Sequence, residues 1–151
     1  MIKLFFGDVK PNVALCGSKQ VDGVDVVSQQ AALGGYTVVT TKTDMIPAVA
    51  ALPATDPNAE ILFAGVFGEN EIPYVLPLDG QKSYAEQDIP QLNEMAQVAI
   101  EILSKNPNGF VLMVEGSQID FAGHINDEER LIHAKEEAIA ANRAKSSFLA
   151  N

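Results

Sequence analysis

The sequence predicts a three-layer α/β fold, in which helices cover both faces of a mostly parallel β-sheet. Short apolar segments alternate along the chain with longer segments of helical periodicity, and this alternation is typical of parallel sheets with right-handed crossovers. Two apolar segments, residues 61–67 and 110–114, are nearly continuous, as expected for strands buried on both faces. The length of 151 residues fits one α/β domain over residues 1–151 with a substantial core.

The N-terminal half contains three predicted strands and two predicted helices. Gly34 and Gly35 end the first helix, and β-branched residues mark the strand that follows it. The second helix tolerates Pro47 only in its first turn, and Thr43 or Asp44 caps it. The predicted elements are, in order, a strand over residues 13–15, a helix over 24–33, a strand over 36–40, a helix from 43 or 44 to 52, and a strand over 61–67.

The C-terminal half begins with a long irregular connection over residues 68–89. An apolar stripe at helical spacing predicts a core helix over residues 90–104. The strand over residues 110–114 follows, and its continuous apolar character predicts a place in the middle of the sheet. Asn126 and Glu129 have the spacing of a capping box, which predicts a last helix from Asn126 to about residue 148.

Three side chains that can bind metal ions follow this last strand. Glu115 comes directly after it, and Asp120 and His124 are four residues apart, so a helical turn over residues 118–124 places both on one face. A carboxylate with an imidazole suits zinc, whereas a lone solvated carboxylate suits magnesium. The ligand types therefore favour two different metals side by side. The end of a strand in an α/β protein opens into a crevice, which is where such a site would lie. The other interpretation of an isolated Asp-x-x-x-His pair is a helix cap with a surface histidine.

The exact residues of this stretch resemble a known family. The segment Met113-Val-Glu-Gly-Ser-Gln-Ile-Asp-Phe-Ala-Gly-His124 closely resembles the metal-ligand segment of the bacterial alkaline phosphatases, and residues 35–40 and 90–110 resemble the same family. By this resemblance Glu115 matches the magnesium ligand, and Asp120 and His124 match two ligands of one catalytic zinc. The resemblance also implies the middle portion of the alkaline phosphatase fold, phosphomonoester hydrolysis by the complete enzyme, and a periplasmic or secreted location.

Several parts of that enzyme have no match in this chain. The family transfers the phosphoryl group to a serine in an Asp-Ser-Ala type motif, and none of the serines here stands in such a motif. The downstream Asp-His pair and the further histidine are missing, because His124 and His133 are the only histidines. The surroundings of Asp8 do not match the family's N-terminal aspartate. A catalytic zinc needs three protein ligands and an open position. We therefore predict no catalytic residue, weak or partial binding of zinc and magnesium, and little or no turnover from the chain alone.

Composition limits the partners. The net charge is −10, from 10 basic and 20 acidic residues, which argues against nucleic acid and acidic membranes because both bind clusters of Lys and Arg. No apolar segment approaches the roughly 18 residues needed to span a bilayer, and the first residues lack the features of a signal peptide. The expected partners are divalent cations, a phosphate monoester on a completed site, and further copies of the chain, since unpaired sheet edges tend to associate.

Four other residues have both a structural and a functional interpretation. The structural one is favoured for each. Cys16 is the only cysteine, and we expect a buried thiol rather than a nucleophile. Ser117 matches no nucleophile of the family, so we expect a turn or capping role. Tyr74 and Tyr84 are expected to pack against the sheet rather than to contact substrate.

Three hypotheses follow for the whole chain. The first is a segment of an alkaline phosphatase that is catalytic only with the remaining parts of the enzyme, and it predicts exposed apolar surface at the sheet edge. The second is a degenerate module that binds a divalent cation or a partner without catalysis. The third, an unrelated α/β binding domain, ranks last because no Gly-x-Gly-x-x-Gly or P-loop pattern follows a predicted strand.

Overall fold

The computed structural model describes residues 10–52, 61–68, 72–74, 76 and 82–149. Within these ranges the chain forms five strands and six helices, which alternate from β3 to α3, with two more strands before this part and three more helices after it. The strands are β1 (Val13–Gly17), β2 (Gln20–Val21), β3 (Val24–Asp25), β4 (Thr37–Val39) and β5 (Phe63–Phe67). The helices are α1 (Val26–Leu33), α2 (Lys42–Ala50), α3 (Tyr84–Gln87), α4 (Leu92–Leu103), α5 (Gln118–His124) and α6 (Glu128–Leu149). None of these helices combines the length and the apolar character that a membrane crossing requires.

The main sheet is parallel, and β5 lies at its centre. The strand order among the described residues is β1-β5-β4. Val13 of β1 and Thr37 of β4 both pair with Phe63, one on each side of β5. Every residue of β5 is buried, so the prediction of a central strand in this stretch is confirmed. β1 has a partner on one side only, which leaves its other edge free within the described part of the chain.

Helices cover both faces of this sheet, which confirms the three-layer α/β fold class. On one face a core cluster joins β4 and β5 to α2, α3 and α4 through Met45, Phe63, Tyr84 and Met95. On the other face a second cluster joins β1 and β5 to α1 through residues such as Ala14, Val27, Ala31 and Val66. Ala31 and Phe63 have no exposed surface. Burial of these side chains is the main source of stability for the three layers.

A two-stranded hairpin precedes α1 and shortens the helix predicted there. β2 and β3 are antiparallel, and the turn between them is formed by Asp22 with φ 51° and Gly23 with φ 75°. Positive φ at both central residues is the requirement of a type I′ turn, for which Asp-Gly is a favoured pair. Asp25 then caps α1, accepting hydrogen bonds from the backbone N–H groups of Val27 and Ser28 at 3.1 Å. The predicted helix start at residue 24 is therefore wrong by two residues.

Two further predictions about helix ends are corrected by the structure. Thr41, not Thr43 or Asp44, caps α2, and its hydroxyl oxygen accepts from the N–H of Asp44. Since α2 begins at Lys42, Pro47 lies inside the helix and beyond its first turn. Asp127 rather than Asn126 caps α6, because its carboxylate accepts from the N–H of Arg130 at 3.0 Å. In both helices the observed cap is a residue next to or near the predicted one, with the same kind of oxygen acceptor.

The largest correction concerns residues 110–114, which were predicted as a buried central strand. In the structure they belong to no strand, and Val111 and Met113 are 96% and 85% exposed. Phe110 and Leu112 are half-buried, and the Phe110 ring lies 5.8 Å from the Phe148 ring of α6. The inside-outside alternation over residues 110–113 is that of an extended chain. Its outer side has neither a strand nor a helix to cover it within the described residues.

Candidate metal-binding site

α5 carries two of the three predicted metal ligands. It begins after Gly116 and Ser117, whose carbonyl groups accept hydrogen bonds from the N–H groups of Ile119 and Asp120. Ala122 has no exposed surface, and it fixes the inner side of α5, which packs on α6. Because α5 is only two turns long and has one buried face, residues 120 and 124 lie on its outer surface.

Asp120 and His124 lie together, as their spacing predicts. The His124 Nε2 atom is 3.4 Å from Asp120 Oδ2, and the two side chains are 75% and 79% exposed, respectively. At this separation both atoms can approach one cation without a change of backbone. Their function as zinc ligands stays a prediction.

Glu115 lies in the non-helical chain just before α5, and its side chain is exposed. Within the described ranges, no group of three or more His, Cys, Asp or Glu side chains is close enough to hold one metal ion. Glu115 is therefore not a third ligand for the pair on α5. The donor types of Asp120 and His124 suit zinc, but two ligands do not make the three-ligand site that a catalytic zinc requires. The prediction of Glu115 as a magnesium ligand likewise stays untested.

A second histidine–carboxylate pair, which sequence analysis did not single out, lies on α6. His133 Nδ1 is 3.5 Å from Glu136 Oε2, and the side chains are 43% and 68% exposed. The three-residue spacing on a helix is the signal that could have identified this pair. It has the same donor types as the pair on α5 but no resemblance to a family motif. It therefore offers an internal control for metal binding.

The remaining candidate residues have structural surroundings. Cys16 is half-buried in β1, where burial and the nearby Asp25 carboxylate raise the pKa of its thiol to about 11, so the thiol stays protonated at neutral pH. Tyr84 is buried in the core, and Tyr74 lies under the Arg130 guanidinium at 5.7 Å. Ser117 precedes α5, but its side chain makes no capping hydrogen bond.

A large cleft separates the free edge of β1 from the chain before α5. This open cleft has a volume of about 1070 Å³ and is bounded by β1 on one side and by residues 109–115 on the other. Apolar side chains of α4 form its floor, among them Met95, Ala99 and Ile102. Glu115 and Gln118 line it as well, and the Gln118 side chain donates a hydrogen bond to the carbonyl of Ile72. Asp8, which was considered as a metal ligand, lies outside the described residues.

Comparison with known proteins identifies relatives over nearly the whole chain. The family model described as alkaline phosphatase matches residues 3–149. Alkaline phosphatase 3 of Bacillus subtilis is 34% identical over 114 residues, which are 76% of this chain and 21% of that protein. The repressible alkaline phosphatase of Saccharomyces cerevisiae is 42% identical over 76 residues, 46% of this chain and 12% of that protein. This chain thus spans about a fifth or less of the length of these relatives.

Comparison of structures gives the same fold. The cold-active alkaline phosphatase from the psychrophile Shewanella sp. superposes with a TM-score of 0.64 and 22% sequence identity. The match covers 87% of this chain and 29% of that one. At this identity the likeness supports the fold.

Proposed function

The chain belongs to the alkaline phosphatase family, and we propose that it supplies part of the metal centre of a metal-dependent phosphomonoesterase but is inactive by itself. The observation that carries the proposal is the pair on α5. Asp120 and His124 lie 3.4 Å apart on an exposed helix face, and no third His, Cys, Asp or Glu ligand lies near them within the described ranges. Such a pair supplies two of the three protein ligands that a catalytic zinc requires.

The number of ligands decides between binding and catalysis. Zinc in a catalytic site has three protein ligands and one open position for water or substrate. An ion on Asp120 and His124 alone keeps most of its solvent ligands, so it is held weakly and in no fixed geometry. We therefore assign no hydrolytic step to this chain, and phosphate monoesters are substrates only of a site that further polypeptide completes.

Glu115 is the proposed magnesium ligand of the completed site. Its side chain is exposed, which leaves room for the water molecules that magnesium retains when one or two carboxylates bind it. The net charge of −10 is compatible with a phosphate substrate only if bound cations supply the local positive field. Family membership is also the basis for proposing a periplasmic or secreted location. Fractionation of the producing cells tests that location.

Calorimetric titration with zinc tests the pair directly. We expect weak binding by the wild-type chain and a loss of affinity of about tenfold or more, about 1.4 kcal/mol, in Asp120→Ala. Glu136→Ala removes the carboxylate of the other exposed pair and serves as the matched control, with affinity unchanged. If Glu136→Ala weakens zinc binding and Asp120→Ala does not, the ion binds on α6 and the proposed ligands are wrong.

Hydrolysis of p-nitrophenyl phosphate tests the proposed inactivity. With zinc and magnesium present, we expect the rate with the chain to equal the rate with the metals alone. A rate above this background that disappears in Asp120→Ala would mean that a complete site forms from this chain or from several copies of it. The proposal of inactivity would then be wrong.

The other candidate function is a module that binds a divalent cation without taking part in catalysis. The exposure of the pair on α5 favours it, because an ion there is accessible without any further polypeptide. Complementation separates the two functions. The chain is mixed with Bacillus subtilis alkaline phosphatase 3 from which the matching 114 residues have been deleted. Turnover that depends on Asp120 supports a catalytic segment, whereas zinc binding without turnover supports the module.

A further inference from the structure

One face of α6 carries two exposed isoleucines. Ile132 and Ile139 are 56% and 43% exposed, and their separation of seven residues, about two helical turns, places them on the same face of the helix. Ala134 and Ala141 are buried, on the opposite side of α6, which packs on α4 and α5. The two isoleucines therefore face away from the helices to which α6 is attached.

α6 differs in charge from the chain as a whole. Its residues 128–149 include four acidic and four basic side chains, which are Glu128, Glu129, Glu136, Glu137, Arg130, Lys135, Arg143 and Lys145. The whole chain has a net charge of −10, so the entire excess of negative charge lies outside α6. Two copies of the chain repel each other through that excess charge. A contact from α6 to α6 is the arrangement that brings no net charge of the same sign together.

The charges beside the two isoleucines are ordered along the helix. Glu128 and Glu129 lie in its first turn, Lys135 and Glu136 lie in its middle, and Arg143 lies two turns further on. All five side chains are exposed. In a parallel pair of α6 helices the acidic first turns would lie side by side, which is unfavourable. In an antiparallel pair the first turn of each helix lies near Arg143 of the other, so the charges are complementary.

We propose that a second copy of this chain docks on α6, with the two α6 helices antiparallel and related by a two-fold axis beside residues 135 and 136. Ile132 is three residues before Lys135, and Ile139 is three residues after Glu136. The axis therefore places Ile132 level with Ile139 of the second copy. Lys135 and Glu136 of both copies meet at the axis as a cluster of two positive and two negative side chains. The same surface of each copy makes the contact, so the dimer is closed.

The size of this contact limits the strength of the dimer. The helix is about 22 Å long from residue 128 to residue 143, and each copy contributes only two isoleucines. Obligate dimers bury much larger apolar interfaces. The charged side chains determine the direction of the helices more than the affinity. The dimer therefore dissociates on dilution, and it leaves the open cleft and the free edge of β1 accessible.

Two charge reversals at the axis test the proposal in a mixing experiment. Lys135→Glu makes the four side chains at the axis all acidic, and Glu136→Lys makes them all basic. For each variant alone, sedimentation equilibrium should give a dissociation constant about tenfold higher than wild type, or more, because like charges meet at the axis. The mixture of both variants pairs an acidic set with a basic set. We expect it to form heterodimers at least as stable as the wild-type dimer.

The matched controls change the net charge in the same way at exposed positions away from the two isoleucines. Lys145→Glu replaces a lysine on α6, and Glu101→Lys replaces a glutamate on α4. We expect each control to dimerise like wild type and the mixture of both to show no preference for heterodimers. If the controls weaken the dimer as much as the reversals at the axis, the net charge of the chain is the cause and the proposal is wrong.

Removal of the isoleucines tests the apolar part of the contact. Ile132→Asn and Ile139→Asn should each raise the dissociation constant about tenfold or more, because each residue occurs twice in the symmetric contact and loses buried apolar surface both times. Ile46→Asn is the matched control, since Ile46 is 63% exposed on α2 and lies outside the contact. This control should leave the dimer unchanged. Circular dichroism checks that all three variants keep the helix content of wild type.

Three results would overturn the proposal. The first is a wild-type chain that remains monomeric at millimolar concentration. The second is a mixture of Lys135→Glu and Glu136→Lys that forms no heterodimers, because the two sites would then not meet. The third is association that persists in Ile132→Asn but is abolished by Val111→Thr with Met113→Gln. That result would mean that the copies contact each other beside the open cleft and not through α6.

Discussion

At the scale of single residues, Gly65 shows how closely β5 is packed. A Cβ atom at this position would lie 2.6 Å from Phe67 Cζ and 2.7 Å from Leu15 Cδ2. Phe67 is fully buried in the core, so its ring cannot move aside into solvent. The sequence places this glycine inside an apolar run, and its absent side chain is what allows neighbouring strands and their side chains to approach closely.

Gly65→Ala should therefore destabilise the fold. Overpacking of a well-packed core costs about 1–3 kcal/mol, and we expect a decrease of that size in the free energy of unfolding measured with urea. Gly123→Ala is the matched control, since nothing lies within 4 Å of a Cβ there and the residue is inside α5. The control should be stable or gain about 0.5–1 kcal/mol. Equal effects of the two changes would contradict the packing argument.

The residues of the candidate site were predictable from sequence only as far as local spacing reaches. The four-residue spacing of Asp120 and His124 predicts their common face, and the structure confirms it. The Asp22-Gly23 turn is also a local signal, yet the helix was predicted to begin at residue 24. The reason is that residues 24 and 25 are compatible with both a strand and a helix start, and the pairing of β2 with β3 decides between them.

At the scale of elements, Glu137 connects α6 to the start of α4. Its Oε1 atom accepts a hydrogen bond from the backbone N–H of Leu92 at 2.7 Å, which satisfies one of the N–H groups left free in the first turn of α4. Burial raises the pKa of Glu137, the nearby Glu94 raises it further, and the bond from Leu92 opposes both effects. The contact between the two helices thus contains a carboxylate whose charge is unfavourable.

This raised pKa makes the stability of the helix contact depend on pH. The folded state holds the Glu137 proton more strongly than the unfolded state, so the contribution of this group to stability is complete below its ordinary pKa of 4.5. It is lost as the pH rises through the raised value. Glu137→Gln keeps the acceptor for Leu92 and removes the charge. We expect the variant to gain stability relative to wild type between acidic and neutral pH in urea unfolding.

The control for this pH effect is the next residue on the same helix. Glu136 is exposed, so Glu136→Gln should change the free energy of unfolding only slightly, and by the same amount at acidic pH as at neutral pH. If both variants show the same dependence on pH, the burial of Glu137 does not cause it.

Residues 110–114 show where prediction of an element fails. Their apolar run is typical of a strand with neighbours on both sides, and the same pattern was correct for β5. What differs is the partner: β5 has β1 and β4 beside it, whereas residues 110–114 have no described strand beside them. A sequence pattern indicates that a segment is suited to burial, and the rest of the polypeptide determines whether burial occurs.

At the scale of the whole molecule, apolar surface is exposed where the first hypothesis expects it. Val111 and Met113 are 96% and 85% exposed, next to the open cleft and beyond the free edge of β1. Isolated exposed apolar residues are ordinary, but a connected patch beside a sheet edge is typical of a surface that contacts other polypeptide. The three-layer architecture was predictable because it depends on the alternation of strands and helices. The uncovered surface follows from the absence of strand partners among the described residues, which no local pattern reveals.

Polar substitution of this surface should leave the fold intact and reduce association. For the double variant Val111→Thr and Met113→Gln, we expect the free energy of unfolding to stay within about 0.5 kcal/mol of wild type. Sedimentation should show less self-association, because the variant has less apolar surface to bury. Phe63→Ala, at a fully buried residue, is the contrasting change and should cost about 3–5 kcal/mol. A comparable loss in the double variant would mean that Val111 and Met113 are already covered.

The central position of β5 also sets the order in which the sheet can assemble. Val13 and Thr37 both pair with Phe63, but the loop closed by β1 is about twice as long as the loop closed by β4. Closing the longer loop costs about 0.6 kcal/mol more in chain entropy, which favours pairing of β4 with β5 as the earlier folding event. During synthesis on the ribosome, β1 and β4 emerge before β5 and have no common neighbour until β5 follows. The sheet therefore forms only after β5 has been made, and of its three described strands β1 waits longest for its partner.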